Sequence, residues 1–175
     1  MGSATKYQRL NLGCGGRPLA DAVNHDREKF APHVDVSWDL EADWPQLYLD
    51  RDGALRAFSV GSQDVQLTGD FAEIHARDVL EHVPPNRFYH VMDSMWRQLR
   101  PGGKAYIQVP EANSRNALID PTHWRGLTLE SFDFLDPTTR LGRASWTTQF
   151  RWSLLHKERL PRTDVNLSFI LEKLV

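Results

Sequence analysis

Three sets of residues have types and spacings that could do chemistry. Gly13-Cys14-Gly15-Gly16 follows Arg9-Leu10-Asn11-Leu12. Glycines remove side chains where a backbone must bend and let a ligand come close. An ordinary tight strand-to-helix connection has the same composition. Cys14 would sit inside this turn, and nothing beside it argues for an activated thiolate, so packing explains it better. The second set is acidic. Asp26 closes the run Ala22–Asp26, and a carboxylate at a strand end can accept both hydroxyl hydrogens of a ribose; a solvated turn acid is the alternative. The third set holds candidate bases: His82, His123 and Glu111. A neutral imidazole can take a proton near neutral pH. The bland readings are that Glu81-His82 orders the turn before Pro84, that His123 is a surface loop residue, and that Glu111 caps the next helix.

Late aromatics add surface around these groups. Trp152 is expected to pack in the sheet, and Trp124 and Trp146 are also most simply core residues. Trp124, between His123 and Arg125, could line an acceptor pocket, with Arg125 suited to a carboxylate or phosphate. Two nucleotide motifs do not fit. A dinucleotide fingerprint needs glycine where Pro18 stands and an acid further on than Asp26. The phosphate loop ending in Gly-Lys-Ser/Thr is absent. The His and acid positions lack metal-ligand spacing, so no metal is expected.

These groups need strands that end side by side. Arg9–Leu12 reads as a strand entering the glycine turn, with one or two helical turns at most before Asp26. Ala22–Asp26 reads as the second strand and the alternating His33–Asp39 as the third. Residues 43–70 are irregular, contain Gly53, Gly61 and Gly69, and predict a short helix over Trp44–Leu55. Phe71–Ala76 reads as the fourth strand. Pro84-Pro85 opens a helix whose Phe88, Val91, Met92, Met95 and Leu99 share one face. Pro101-Gly102-Gly103 stops it, and Lys104–Val109 is the fifth strand. Gln149–His156 and Asp164–Leu171 alternate around Pro161 and Arg162, predicting an antiparallel hairpin. Strands alternating with helices imply a parallel sheet, whose ligands bind beyond the carboxyl ends where strand order reverses.

Composition sets the bounds. The 175 residues suit one domain, and 41% hydrophobic with 25% charged residues suits a globular core. The formal charge of -2 gives no electrostatic case for nucleic acid or an anionic membrane as partner. One Cys excludes an internal disulfide and suits a reducing compartment. No apolar run is long enough to span a bilayer and no leader is visible, so a cytoplasmic location is expected.

Taken in order, these segments resemble the class I S-adenosylmethionine-dependent methyltransferases, in particular a small type 11-like group with a compact glycine motif. Leu10-Asn11-Leu12-Gly13-Cys14-Gly15 is similar to the first, nucleoside-binding motif, and Val23-Asn24-His25-Asp26 to the strand with the ribose acid. Val36-Ser37-Trp38-Asp39-Leu40 resembles the adenine-holding third strand, and Asp78-Val79-Leu80-Glu81-His82-Val83 the segment after the fourth. Leu99–Gly103 resembles the helix-ending turn, and Asp120-Pro121-Thr122-His123 a substrate-side loop. There are three departures. Phe71-Ala72 replaces Phe-Asp, the stretch between Asp39 and Phe71 is long, and no helix precedes the first strand. The last would leave the site open for a protein partner or second subunit to close.

The resemblance implies an α/β, Rossmann-like sandwich of seven mostly parallel strands, order 3-2-1-4-5-7-6, with a C-terminal antiparallel hairpin. It implies a single S-adenosylmethionine-dependent methyltransferase domain over residues 1–175, with 111–146 as a substrate-side insertion. The cofactor residues would be Asn11, Gly13, Cys14, Gly15, Asp26, Asp39, Leu40 and Asp78; helix or turn capping is the alternative for Asp39 and Asp78. His123 and His82 would be the catalytic candidates. The acceptor would be a small or medium molecule methylated at O or N. Two rivals are a non-catalytic S-adenosylmethionine-binding module that completes a partner enzyme, and a nicotinamide-dependent enzyme, which Pro18 and the early Asp26 disfavour.

Overall fold

In the first strand Leu10 and Leu12 alternate with polar Arg9 and Asn11, and this period of two recurs across the sheet. The computed structural model describes residues 7–50, 52, 54–56, 65–144, 150–161 and 166–174. Strands β1 (Arg9–Leu12) and β2 (Ala22–Asp26) fall where their patterns predict. β3 is only Val36–Ser37, shorter than expected. His33 and Asp35 are spent elsewhere: His33 Nε2–H donates to the Gly15 carbonyl in the glycine turn, and Asp35 accepts the Asn24 N–H of β2.

The predicted helix over Trp44–Leu55 does not form. Its place is taken by β4 (Tyr48–Leu49), β5 (Leu55–Arg56) and β6 (Val65–Gln66), a three-stranded sheet with β4 at its centre. Leu47 and Leu49 are buried around a half-exposed Tyr48, which is strand rather than helix spacing. Asp50 then accepts the backbone N–H groups of Asp52 and Ala54 and closes a tight turn.

β7 (Phe71–Arg77) leads through a 3-10 turn at Leu80–His82 to helix α1 (Phe88–Gln98). β8 (Leu99–Pro110) begins earlier than predicted. Phe71 pairs with Leu99 and Glu73 with Lys104, so Arg100–Gly103 bulge out of the ladder. Short helices α2 (Arg115–Ile119) and α3 (Arg140–Ala144) follow, then β9 (Trp152–Arg159) and β10 (Asn166–Lys173). The hairpin therefore forms, displaced toward the C-terminus. Gly53, Gly61, Trp146, Gln149, Arg162 and Asp164 lie outside the described residues.

The main sheet runs β3-β2-β1-β7-β8-β10-β9, which is the expected 3-2-1-4-5-7-6 when its seven strands are counted along the chain. Pairs among the first five are parallel, and β10 is antiparallel to both neighbours.

Register sorts the side chains onto two faces. Leu10, Val23, Ile74, Ala105 and Leu171 form one row, and Leu12, Ala76, Ile107 and Phe169 the next; each is nearly or fully buried. Phe88, Val91, Met92 and Met95 of α1 join this core, as do Leu47, Leu127 and Phe132. The opposite face carries Arg9, Glu73, Lys104 and Glu172 in one row and Asn11, His75 and Tyr106 in the next. Among the described residues no helix separates β1 from β2 or β2 from β3.

Candidate functional site

The carboxyl ends of β1, β2, β3 and β7 meet on one rim, and backbone geometry shapes the first part of the site. Gly13 and Gly15 take φ of 57° and 50°, a region that suits glycine. They differ in what surrounds them. A Cβ on Gly13 would lie 2.5 Å from Val79 Cγ2, whereas one on Gly15 would meet nothing within 4 Å. Gly13 therefore lets β1 and the β7 exit pack together, and Gly15 leaves open room beside the turn. Cys14 is buried, its N–H donates to the His25 carbonyl at 2.8 Å, and burial pushes its thiol pKa up. It packs, as expected of an unactivated cysteine.

Asp26 anchors that turn. Its Oδ2 accepts the Gly15 N–H at 2.8 Å and its Oδ1 the Arg27 N–H at 2.7 Å. A carboxylate has further lone pairs, so acceptor capacity remains. Asp39 accepts the Glu41 N–H at 2.9 Å and pairs with Arg27 at 3.2 Å. Asp39 thus closes a local turn, and no helix follows for it to cap. Asp78 has φ 53°, an uncommon backbone for aspartate, and its N–H donates to the Gln108 carbonyl. Arg17 at 3.1 Å and Arg77 at 3.8 Å face its carboxylate.

Gly13, Asp26, Asp39, Leu40 and Asp78 line one cavity of about 590 Å³, with His82 and Trp124 also on its wall. Asn11 stands apart. It is buried on the polar face, donating to Asn24 Oδ1 at 2.9 Å and the Arg17 carbonyl at 3.2 Å, and with Cys14 and Gly15 lines a neighbouring cavity of about 470 Å³ that meets the first at Gly13 and Asp78.

His25 is a site residue that motif reading passed over. Its Nε2–H donates to the Trp38 carbonyl at 3.0 Å, and the Gly13 N–H points to its Nδ1 at 3.5 Å. One neutral tautomer serves both contacts. The ring lies 3.8 Å from the Trp38 ring, and burial pushes its pKa down to about 4. His25 thereby ties the glycine turn to the segment leaving β3. The available signal was strand period: Val23 and His25 share a face.

A third cavity of about 750 Å³ meets the first at Asp78 and His82, and is also lined by Glu81, Asp120 and His123. Glu81 is 2% exposed, and among the described residues neither of its carboxyl oxygens has a hydrogen-bond partner. Burial, with Asp78 and Asp120 adding to it, pushes its pKa up to about 7. His82 and His123 pack edge to face, ring centroids 4.7 Å apart. The structure thus brings together the two histidines singled out from sequence and adds Glu81.

Other expectations are corrected. Glu111 forms an ion pair with Arg159, and Ser114 caps α2 in its stead, accepting the Ala117 N–H. Arg125 turns away from the cavities and stacks 4.0 Å over the Phe88 ring. Trp152 is fully buried, as expected, while Trp124 is 63% exposed.

No helix among the described residues is long and apolar enough to cross a membrane. Comparison with curated proteins gives no match. Among solved structures, a SAM-dependent methyltransferase from Archaeoglobus fulgidus is 12% identical, with a TM-score of 0.58 over 98% of this chain and 88% of that one. A 1,6-didemethyltoxoflavin-N1-methyltransferase from Burkholderia thailandensis, with bound 1,6-didemethyltoxoflavin and S-adenosylhomocysteine, is 14% identical, with a TM-score of 0.54 over 95% and 71%. The [4+2]-cyclase SpnF is 12% identical, with a TM-score of 0.57 over 95% and 74%. These are likenesses of fold. The sequence profile of the methyltransferase-domain family matches residues 8–159, most of the chain. The chain accordingly belongs to the methyltransferase-domain family, among the class I S-adenosylmethionine-dependent methyltransferases.

Proposed function

We infer that the chain transfers a methyl group from S-adenosylmethionine to an O or N atom of a small or medium acceptor. The observation that carries this reading is the cavity of about 590 Å³ in which Gly13, Asp26, Asp39 and Leu40 meet. Its size suits a nucleoside-sized ligand, and its residues fit this one. Asp26 retains lone pairs for ribose hydroxyls, Asp39 accepts from the adenine amino group, and Leu40 packs on the ring. The turn at Gly15 leaves main-chain room for the amino-acid end. Asp78 faces the ammonium, sharing its charge with Arg17 and Arg77.

Bound S-adenosylmethionine supplies a methyl group already activated on a sulfonium. The protein's task is then to place the acceptor in line and exclude water. The loop from Asp120 to Trp124 and the Leu80–His82 turn form the wall the acceptor meets. His82 and His123 are the electron-pair donors available there.

Calorimetry with S-adenosylhomocysteine tests the donor site. Asp26→Ala is expected to weaken binding by about 1–3 kcal/mol, the cost of leaving polar groups unmet; unchanged affinity removes Asp26 from the site. The second reading, a non-catalytic module completing a partner enzyme, draws on the exposure of Trp124 at the cavity wall. Transfer of labelled methyl groups onto lysate fractions separates the two, since a module alone produces none.

A further inference from the structure

Glu81, His82 and His123 create a charge problem that the protein's own groups leave unsolved. Buried carboxylates are normally hydrogen-bonded or paired with a cation. Among the described residues neither Glu81 oxygen has a hydrogen-bond partner, and His123 Nε2, 4.0 Å away, would pair with it only as an imidazolium. The imidazoles add to the problem. The Thr122 hydroxyl donates to Asp120 Oδ1 at 2.6 Å, so it accepts from His82 Nδ1–H at 2.8 Å. The Ala117 carbonyl can only accept, so His123 Nδ1 also carries its proton, at 3.2 Å. In the neutral rings, each Nε2 is left as a bare lone pair. His123 Nε2 stands 4.0 Å from Glu81 Oε1 and 3.9 Å from Asp120 Oδ2. With Glu81 ionised, acceptors face acceptors across gaps too wide for hydrogen bonds and wide enough for a cation. One potential ligand atom from each of Glu81, His82 and His123 lies within 4.8 Å of the others. Histidines whose Nδ1–H is held by the protein are oriented as metal-binding histidines are.

We propose that Glu81, His82 and His123 bind a divalent first-row transition ion whose open positions face the acceptor-side cavity. Two imidazoles with one carboxylate suit Zn²⁺, Mn²⁺, Fe²⁺ or Co²⁺ better than Mg²⁺ or Ca²⁺. Asp120 Oδ2, 3.9 Å from His123 Nε2, is a further donor beside them. Resting on the methyl-transfer reading, the ion binds an acceptor oxygen beside the donor cavity and acidifies it. The oxygen loses its proton to water and bonds to the methyl carbon. The carbon–sulfur bond breaks, and its electron pair stays on sulfur. The sequence offered no metal spacing because Glu81-His82 and His123 come from different segments that meet only in the fold.

The test is titration of the chelator-stripped chain with Co²⁺, followed by visible absorption. One equivalent is expected to bind with d–d bands, and Zn²⁺ to displace it. Glu81→Gln and His123→Asn should each weaken Co²⁺ by at least about tenfold, while His156→Ala, on exposed β9, retains wild-type binding. A wild-type chain that takes up neither ion stoichiometrically overturns the proposal. So does either variant, folded by circular dichroism, that keeps wild-type affinity. S-adenosylhomocysteine calorimetry on the same samples separates the two readings. Missing metal with intact nucleoside binding removes the ion alone; bound metal without nucleoside binding removes the methyl-transfer reading and leaves the ion site.

Discussion

The two faces of the main sheet are made by alternate residues of the same strands, yet they meet different surroundings. On one, Leu10, Ile74, Ala105 and Phe169 are wholly buried beneath α1 and the 127–135 segment. On the other, Arg9, Glu73 and Lys104 alternate in sign across three strands, and His75 stacks on Tyr106 with centroids 4.9 Å apart. Parallel strands covered on both faces read as continuous apolar runs. The period of two in β7, β8 and β10 belongs instead to a sheet with one face toward water. Besides Lys157 and Arg159 on the edge strand β9, opposite Phe169 and Leu167, two buried polar residues break the rule at the ends of the apolar face. His25 lies at the carboxyl rim. Lys173 lies at the other end, its Nζ donating to the Leu99 carbonyl and sitting 3.8 Å over the Trp96 ring. The polar group on the rim side belongs to the site, and the one at the far end is satisfied structurally.

The strongest way to break this contrast is a matched pair of truncations. Phe169→Ala, on the apolar face, is expected to cost about 3–5 kcal/mol in urea denaturation. Tyr106→Ala, on the polar face, should cost less than about 1 kcal/mol, the scale of a cross-strand pair. Equal losses would mean that the polar face is covered too.

Next in size is the pH response of the rim. The folded pKa of His25 lies near 4, below the 6.5 of a free imidazole, so the unfolded chain takes the proton first. Its contribution is complete above about pH 6.5 and is lost as pH falls toward 4, by up to about 3 kcal/mol. His25→Gln should flatten that part of the stability-against-pH curve. A slope that survives the substitution would show that His25 is not the group responsible.

The smallest effect is expected in the charged row. Glu73→Lys places like charges beside Arg9 and Lys104 and should cost no more than about 1 kcal/mol. Because the row is solvated, added salt should reduce that cost. A loss indifferent to salt would point to packing at this position.

Much of this architecture was legible beforehand, for local reasons. β1 and β2 fall within their predicted bounds because a period-two run ending at a glycine turn or an acid carries its own limits. The same locality misled at Trp44–Leu55, where the closing of a turn by Asp50 outweighs a loose helical pattern. The donor side was readable as motifs. Several of its partners were not: Arg17 on Asp78, Val79 under Gly13 and Trp38 on His25 are all contacts between different strands' exits.

Residue order alone specified the period of strands such as β1 and β2, the bend at Gly13–Gly16 and the spacing of Asp26, Asp39 and Asp78 along the chain. These are properties of neighbours in the chain, carried by side-chain alternation and backbone freedom. Which acids and imidazoles face one another was settled by packing across the sheet. Glu81 met His123 because the segment after β8 folds back over the exit of β7, where the Trp124 N–H donates to the Glu81 carbonyl at 2.9 Å. Contacts of that range depend on the shape of the whole core, and no short window of sequence contains them.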